Sequence, residues 1–202
     1  MIGVLELGMG NPASVHNMFR TLGVPTTAVV SPAQAQGVSG LVLPGVGHYD
    51  HGMDLLGPWA DPLQELSVEG VPILGICLGM QLLFEGSDEG TRPGLGLLPG
   101  RLQRVSQARP GVRVPHVGWA EVHPIRANPL LPEPGEFYFT HSFCLEGDAD
   151  VVVAVCDYGD RPLAAIVRQG RVVGVQFHPE KSHRFGKALL RRFWEELCLG
   201  VD

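Results

Sequence analysis

The chain has 202 residues, 45% of them hydrophobic, which is enough to bury one complete core, and we expect a single domain over residues 1–202. Its formal net charge of -6 argues against a nucleic-acid partner, because a surface that follows phosphates carries an excess of Lys and Arg. The chain opens on the strand-like "IGVLEL" without a basic leader, and no apolar run approaches membrane-spanning length, so we expect a cytoplasmic protein with no membrane partner.

The first ninety residues alternate short β-rich runs with helical patterns. The runs are "IGVLEL", "TTAVV", "GLVLP" and "VPILGI", and the segments "NPASVHNMFRTLG" and "HGMDLLGPWADPLQELSVEG" between them have helical spacing. Strands that alternate with helices in this way form parallel sheets covered by helices. The sequence therefore predicts an α/β fold with an open, mostly parallel sheet flanked by helices.

Beyond Gly90 the pattern changes to strands separated by Gly and Pro. The strand candidates are "GVRVPHVGWAEV", "EFYFTHSF", "DVVVAVCDYG" and "PLAAIVRQGRVVGVQF". The break at Gln169-Gly170 is typical of a tight hairpin, which predicts additional antiparallel strands in the C-terminal half. A final helix is predicted in "HRFGKALLRRFWEELCLG". Its expected core-facing side consists of Phe185, Leu189, Phe193 and Leu197.

A glycine pattern after the first strand candidate formally matches a dinucleotide-binding fingerprint. The pattern is Gly8-x-Gly10-x-x-Ala13, but the acidic residue that would hold a ribose hydroxyl is missing, since residues 7–49 contain no Asp or Glu. Asn11 is a suitable helix cap. The sequence favours a tight turn between strand and helix, and no nicotinamide cofactor is expected.

The segment "GHYDH" could be imagined as a metal site. It offers His48, Asp50 and His51, yet zinc sites usually recruit three or four ligands with supporting hydrogen bonds, and nothing nearby in the sequence completes such a set. We expect no metal. The four cysteines form no C-x-x-C pair, and a chain of this length folds without disulfides, so all four are expected to be reduced.

The stretch "VPILGICLGMQLLFEGSDEG" places a cysteine where a strand passes into a helix. Cys77 has glycines two positions before it and two after it, Gly75 and Gly79. A nucleophile elbow needs such small neighbours, because the strand turns sharply into the helix. A helix that begins near Leu78 would also point its free N–H groups at the sulfur, which favours the thiolate. The pattern predicts that Cys77 is a nucleophile rather than a core cysteine.

A base and its orienting group are predicted near the C-terminus. The strand-like "VVGVQF" leads into His178-Pro179-Glu180. Residues two apart in an extended segment lie on the same side, so Glu180 is expected to hold one ring nitrogen of His178 while the other nitrogen faces the thiol. A His-x-Glu at the end of a strand is common by chance, but its occurrence with an elbow cysteine favours a catalytic triad.

Two backbone amides are predicted to stabilise the oxyanion. One is that of Leu78, directly after the nucleophile, and the other comes from "LPGVG", where Gly45 and Val46 share a peptide bond. Glycine permits rotation of this peptide at little steric cost, so the loop could adopt an inactive orientation. An ordinary loop after a strand is the alternative.

These motifs resemble those of class I (triad-type) glutamine amidotransferases. The elbow "GICLGMQ", the late "HPE" and the early "LPGVG" carry the resemblance, which covers nearly the whole chain. It implies a flavodoxin-like sheet and hydrolysis of the side-chain amide of L-glutamine through a thioester, with ammonia as the product and no cofactor. The implied substrate-binding positions are Gln81, Glu89 and the backbone of His141, Ser142 and Phe143.

Further segments are similar to one branch of this family, which serves histidine biosynthesis: "GMGN", "LPGVGHYDHGM", "GLGLLPG", "VPHVGW", "FYFTHSF" and "GVQFHPEKS". The resemblance implies a heterodimer in which ammonia passes to a separate (β/α)8-barrel cyclase subunit that makes imidazole glycerol phosphate and aminoimidazole carboxamide ribonucleotide. Asn11, Trp119 and Lys181 match the face that meets this subunit. The chain departs from the branch at "LEL", residues 5–7, and at Ala120, both expected near that face.

Two alternatives stay open. A pyridoxal-phosphate or anthranilate synthase partner would retain the triad but should differ at "VPHVGW" and "HPEKS". A binding module without activity would retain the fold with an inert Cys77. Identification of the bound partner would distinguish the first alternative from the histidine-biosynthesis branch. Failure of Cys77 to react with a glutamine-like electrophile would indicate the second.

Overall fold

A computed structural model describes residues 1–107, 111–147, 149–159 and 161–200. The five α-helices described are α1 Pro12–Thr21, α2 Tyr49–Leu56, α3 Ala60–Val68, α4 Leu78–Leu82 and α5 His183–Arg192. The described strands are β1 Ile2–Leu5, β2 Thr26–Val29, β3 Gly40–Gly45, β4 Ile73–Cys77, β5 Gly86–Ser87, β6 Arg101–Arg104, β7 His116–Pro124, β8 Gly135–His141, β9 Phe143–Cys144, β10 Val152–Tyr158, β11 Arg161–Gln169 and β12 Val172–Val175.

Within the described residues, nine strands form one mixed sheet in the order β2-β1-β3-β4-β12-β11-β10-β7-β8. Strands β1 to β4 and β12 pair in parallel and are called the parallel half. Strands β7, β8, β10 and β11 pair antiparallel and are called the antiparallel half. The sheet confirms the predicted fold class, including the antiparallel strands of the C-terminal half.

Four of the five strands of the parallel half are buried along their whole length. Strands β1, β3, β4 and β12 contain no exposed residue, as expected for a sheet covered by helices on both faces. Successive residues alternate between the two faces. Leu74 and Ile76 belong to an apolar cluster that includes residues of helices α1 and α5. Ile73 belongs to the other apolar cluster, which includes residues of α2, α3 and α4.

The order of the parallel strands determines where the functional motifs meet. Strand β4 lies between β3 and β12, and the pairing brings Gly45 opposite Cys77 and Val175 opposite Ile76. The carboxyl ends of these three strands therefore share one edge of the sheet, which is where open α/β sheets bind ligands. The small sheet β5-β6-β9 connects the chain that follows the elbow to the end of β8.

Two local predictions need correction. The hairpin between β11 and β12 turns at Gly170-Arg171, because Gln169 already pairs with Val172. The final helix is α-helical only to Arg192 and continues as a π-helix over Phe193–Cys198. Its predicted core face is otherwise found, with Leu189, Phe193 and Leu197 buried and Phe185 packed at the margin.

Over the ranges that the structure describes, every helix is too short or too polar to cross a membrane.

Candidate active site

Cys77 lies at the last position of β4 and has a strained backbone. Its φ of 53° and ψ of -111° are unusual for a residue with a side chain, and strain of this kind is a mark of the nucleophile elbow. The flanking glycines are needed because strand and helix nearly touch. A Cβ at Gly75 would lie 2.6 Å from the carbonyl oxygen of Gly79, and a Cβ at Gly79 would overlap the carbonyl of Leu43.

His178 and Glu180 form the predicted pair, although the reason given for it was wrong. His178 Nδ1 lies 2.7 Å from Glu180 Oε1. Only His178 has extended dihedral angles, with φ -101° and ψ 96°, and the chain then enters a single 3₁₀ turn at Pro179–Lys181. The carboxylate reaches the ring because this turn bends back on the histidine, and not because two residues alternate along a strand.

The turn that carries His178 is tied to strand β8 by two hydrogen bonds and closed by a third within the turn. The His178 N–H donates to the carbonyl of Tyr138 at 2.9 Å, and the Tyr138 N–H donates to the hydroxyl of Ser182 at 3.0 Å. That hydroxyl in turn donates to the His178 carbonyl at 2.6 Å. The antiparallel half therefore positions the histidine that follows the parallel strand β12.

The surroundings of His178 favour its protonated form. The residue is 2% exposed, and this burial alone would lower its pKa. The nearby thiol of Cys77 and the carboxylate of Glu180 outweigh it and raise the pKa of His178 to about 9. Among the described residues, Nε2 of His178 has no partner at hydrogen-bonding geometry. The ring is thus free to exchange a proton on the side of the sulfur.

The predicted oxyanion donors Leu78 and Val46 lie at the same cavity as Cys77, and Gly45 has a packing role in addition to the predicted one. Gly45 pairs with Cys77, and a Cβ there would lie 2.7 Å from the Gly79 amide nitrogen and 2.9 Å from Leu78 Cβ. Gly45 is therefore required for close packing against the elbow, and its replacement would displace the nucleophile. In the loop after β3, Gly47 has a positive φ of 119°, and the preceding residue, Val46, is half-exposed.

A cavity of about 260 Å³ opens beside the thiol. Its lining residues come from the loop after β3, from the elbow, from Glu89 and from the end of β8. They are Val46, Gly47, Cys77, Leu78, Gln81, Glu89, Pro115, Thr140, His141, Ser142 and Phe143. All five predicted substrate-binding residues are therefore brought together around Cys77.

Several of these side chains already have protein partners. The Gln81 side chain donates through Nε2 to the carbonyl of Phe143 at 3.1 Å and to Gln176 Oε1 at 3.0 Å. Glu89 Oε2 accepts the Tyr49 N–H at 3.0 Å. Gln81 therefore fixes the cavity wall. Its side-chain oxygen Oε1 and Oε1 of Glu89 are the atoms left to bind a substrate.

Sequence reasoning missed Gln176. This residue is completely buried, and its Nε2 lies 3.8 Å from Cys77 Sγ, opposite the Thr140 carbonyl at the same distance. The Gln81 amide holds Gln176 from the other side. The motif "GVQFHPE" contains this glutamine two residues before the base, and its polarity within an apolar strand was the available signal.

The residues predicted to meet a partner differ in their surroundings. Trp119 is 46% exposed and stacks on His183 with ring centroids 5.2 Å apart. The same indole contacts Tyr138 edge-on, and Lys181 Nζ lies 5.7 Å from the Tyr138 ring. Asn11 is exposed and caps α1, which packs beside the Pro179–Lys181 turn. All are near the carboxyl edge of the parallel half.

The two departures from the family pattern are not both surface features. Leu5 ends β1 at the carboxyl edge, but it is 1% exposed and packs in the core, so its own side chain is not available to a partner. Glu6 and Leu7 are half-buried. Ala120 is also half-buried, next to Trp119 on β7, and packs against the core.

The glycine pattern at residues 8–13 and the segment "GHYDH" have structural roles. Gly8 and Gly10 adopt φ of 81° and 84° in a tight turn, and Asn11 accepts the Ser14 N–H to cap α1. His48 caps α2, and Asp50 accepts hydrogen bonds from the loop at 91–92. Within the described ranges, no group of three or more His, Cys, Asp or Glu could hold a metal ion.

The chain matches the family described as "Glutamine amidotransferase class-I" over residues 4–197. It is 42% identical over 204 residues to the imidazole glycerol phosphate synthase subunit HisH of Symbiobacterium thermophilum, covering 98% of this chain and 94% of the relative. It is 43% identical over 199 residues to the protein of the same name in Xylella fastidiosa, covering 96% of each.

Solved structures share the fold at lower identity. A crystal structure described as a glutamine amidotransferase matches with a TM-score of 0.77 and 23% identity, covering 98% of this chain and 99% of that one. The structure of PurLQS from Thermotoga maritima matches with a TM-score of 0.75 and 20% identity, covering 97% and 98%. These two likenesses support the mixed sheet and its flanking helices.

Proposed function

The chain belongs to the class I glutamine amidotransferase family, and we propose that it is the glutaminase subunit of imidazole glycerol phosphate synthase, hydrolysing L-glutamine to glutamate and ammonia within a single domain of residues 1–202. One observation carries the chemical part of this proposal. The strained Cys77 lies beside a histidine that is hydrogen-bonded to a buried carboxylate. A core cysteine requires none of this arrangement.

Cys77 Sγ attacks the side-chain carboxamide carbon of glutamine. The proton of the thiol is held by His178, whose raised pKa suits it to stay charged while the sulfur is anionic. Glu180 stabilises the imidazolium through its 2.7 Å hydrogen bond. The tetrahedral oxyanion is stabilised by the N–H of Leu78 and by that of Val46 once the loop after β3 turns it inwards.

Collapse of the tetrahedral intermediate breaks the carbon–nitrogen bond. His178 gives its proton to the leaving nitrogen, so ammonia departs and a γ-glutamyl thioester remains on Cys77. A water molecule then loses a proton to the same imidazole and attacks the thioester. Glutamate leaves, and the proton returns to the sulfur. Gln81, Glu89 and the backbone of 141–143 are the proposed contacts to the glutamine head.

The ammonia is consumed on another protein. The relatives are named as subunits of a synthase, and we propose that this chain pairs with the (β/α)8-barrel cyclase subunit as a heterodimer in the cytoplasm. The barrel uses the nitrogen to form imidazole glycerol phosphate and aminoimidazole carboxamide ribonucleotide. Asn11, Trp119 and Lys181 are the proposed contacts, because they lie near the edge of the sheet at which the thiol is found.

The decisive assay measures glutamate release from glutamine by this chain alone, with the barrel subunit, and with the barrel plus its acceptor ligand. We expect slow hydrolysis alone and much faster hydrolysis in the liganded complex, since one oxyanion donor is worth about a hundredfold in rate. Equal turnover in all three conditions would contradict control by the partner, and no glutamate in any of them would contradict the activity itself.

The partner face is tested by binding. Replacement of Trp119 by Ala removes a half-exposed indole and should weaken the complex about tenfold or more. Val68→Ala is the matched control, because Val68 is 90% exposed at the far end of α3, at the opposite edge of the sheet. Equal affinity of both variants for the barrel would place the interface elsewhere.

A further inference from the structure

Two buried histidines are in contact at the wall of the active-site cavity. His116 Nδ1 lies 3.2 Å from His141 Nε2, and the two residues are 2% and 5% exposed. His141 lines the cavity, whereas His116 lies behind it. We propose that His116 is a positioning residue for glutamine binding, which donates Nδ1–H to His141 and thereby fixes the tautomer of His141 and the cavity wall at Thr140–Phe143.

The hydrogen-bond partners determine both tautomers. The Phe143 carbonyl can only accept, and it lies 2.9 Å from His141 Nδ1, so this nitrogen carries the proton. A neutral imidazole has one donor, which leaves His141 Nε2 as an acceptor. The donor to that nitrogen is therefore His116 Nδ1. His116 Nε2 has no proton in this arrangement.

The surroundings keep both rings neutral. His116 is stacked between Tyr158 and Phe139, with ring centroids 3.7 Å and 4.8 Å away. Burial lowers the pKa of His116 to about 4, and burial together with the neighbouring His116 and His178 lowers the pKa of His141 to about 4. A second proton on His141 would set its Nε2–H against the Nδ1–H of His116, and burial disfavours a second proton on His116, so the neutral pair is the form that holds together.

The pair acts on the substrate cavity through one carbonyl group. The Phe143 carbonyl accepts from His141 on one side and from Gln81 Nε2 on the other. The neighbouring Ser142 carbonyl accepts the Val105 N–H at 2.9 Å, and the Thr140 carbonyl faces Cys77 Sγ. Without the imidazole pair, the Phe143 carbonyl would lose its hydrogen bond from His141, and the cavity wall would be able to move. The contacts that hold Cys77 and His178 would remain.

The tautomers can be read directly in the wild-type chain. Long-range proton–nitrogen correlation on protein labelled with ¹⁵N-histidine, at pH 7, assigns the protonated nitrogen of each ring. We expect Nδ1–H for both His116 and His141. A signal showing Nε2–H or a charged imidazolium at His116 would overturn the proposal. This measurement does not depend on any activity, so it stands apart from the proposed function.

The functional link rests on the proposed glutaminase activity and is tested with two variants in the complex with the barrel subunit. His116→Phe keeps the stacked ring and removes the donor, and His116→Asn places an amide donor near the position of Nδ1. We expect His116→Phe to raise KM for glutamine about tenfold, the effect of one lost hydrogen bond, with kcat within about twofold. His116→Asn should recover most of the loss.

Alkylation of Cys77 by iodoacetamide separates binding from reactivity. Its rate should be nearly equal in the wild type and in both variants, because this reagent does not use the glutamine-binding wall. Equal KM values for His116→Phe and His116→Asn would reduce His116 to a packing residue and overturn the proposal. A fall in alkylation and kcat with unchanged KM would also overturn it. A wild-type complex that releases no glutamate would instead contradict the proposed function.

Discussion

The parallel and antiparallel halves of the sheet contribute to the active site in different ways. Strands β3, β4 and β12 end together and deliver the oxyanion loop, the nucleophile and the base from three adjacent parallel strands. The antiparallel half supplies the cavity wall at the end of β8 and the hydrogen bonds that hold the turn of His178. The chemistry therefore comes from the parallel half, whereas the antiparallel half positions the base and supplies the cavity wall at the end of β8.

This division teaches that changes in the two halves should alter different kinetic constants. A triad residue or oxyanion donor carried by the parallel half takes part in bond making and breaking, so its alteration should lower kcat. An altered group in the antiparallel half moves the wall or the turn, so it should act mainly on KM, on stability or on pH dependence. Each prediction below tests one side of this comparison.

The largest effect is expected at the nucleophile. Cys77→Ser should lower glutamine hydrolysis about a thousandfold or more, since loss of a triad nucleophile removes the covalent route. The complex with the barrel should still form product from ammonium salt, because the acceptor chemistry takes place on the other subunit. Loss of the ammonium-dependent reaction as well would show that this chain acts on the acceptor.

The base and its orienting group should differ in importance. His178→Ala removes proton transfer and should lower kcat by about a hundredfold to ten-thousandfold. Glu180→Gln keeps the shape of the side chain but weakens stabilisation of the imidazolium, so its loss should be smaller. The measurement is kcat in the liganded complex for both variants. A Glu180 variant that is slower than the His178 variant would reverse the assigned roles.

The elbow can be tested through stability. Gly79→Ala places a methyl group against the carbonyl of Leu43 and should destabilise the fold by about 1–3 kcal/mol. Gly57→Ala is the matched control, because an added Cβ there meets no atom within 4 Å. Urea unfolding of both variants measures the difference. Equal midpoints would mean that strand β3 and helix α4 are less closely packed than the distances indicate.

The most gradual effect is a pH dependence of stability, of opposite sign in the two halves. Because the pKa values of His116 and His141 fall to about 4, the unfolded chain binds more protons between pH 6.5 and 4, and stability should decrease as pH falls through that range. The pKa of His178 rises to about 9, so its contribution is complete below pH 6.5 and is lost as pH rises towards 9.

Each histidine should change the free energy of unfolding by about 1 kcal/mol per pH unit within its range. Thermal unfolding of the wild type, His116→Phe and His178→Ala from pH 4 to pH 9 separates the contributions. The acid-side slope should be reduced in the first variant and the alkaline-side slope in the second. Unchanged slopes in both would contradict the assigned burial and pairing.

The sequence was informative where backbone geometry dictates residue type. The glycines around Cys77 are demanded by the contact between strand and helix, and the apolar runs are demanded by burial on both faces of the sheet. The elbow, the order of elements and the His-x-Glu motif could therefore be predicted. The family resemblance added the cavity residues at positions 81, 89 and 141–143.

The features of the site that could not be predicted depend on contacts between residues that are distant in the sequence. Gln176 approaches the thiol only because β12 pairs with β4, and His116 meets His141 only because β7 pairs with β8 in one register. The packing role of Gly45 was also missed, since flexibility and close packing both favour glycine and only the distances to Leu78 and Gly79 reveal the packing. No local pattern encodes such contacts.

The most direct test of the central claim is detection of the covalent intermediate. The liganded complex is mixed with glutamine, quenched rapidly in acid and digested, and the cysteine peptides are analysed by mass spectrometry. Burial raises the pKa of Cys144, Cys156 and Cys198 to about 12, so these thiols are internal controls. We predict a γ-glutamyl group on Cys77 and on no other cysteine. Turnover of glutamine without modification of Cys77, or modification of one of the three controls instead, would contradict the account.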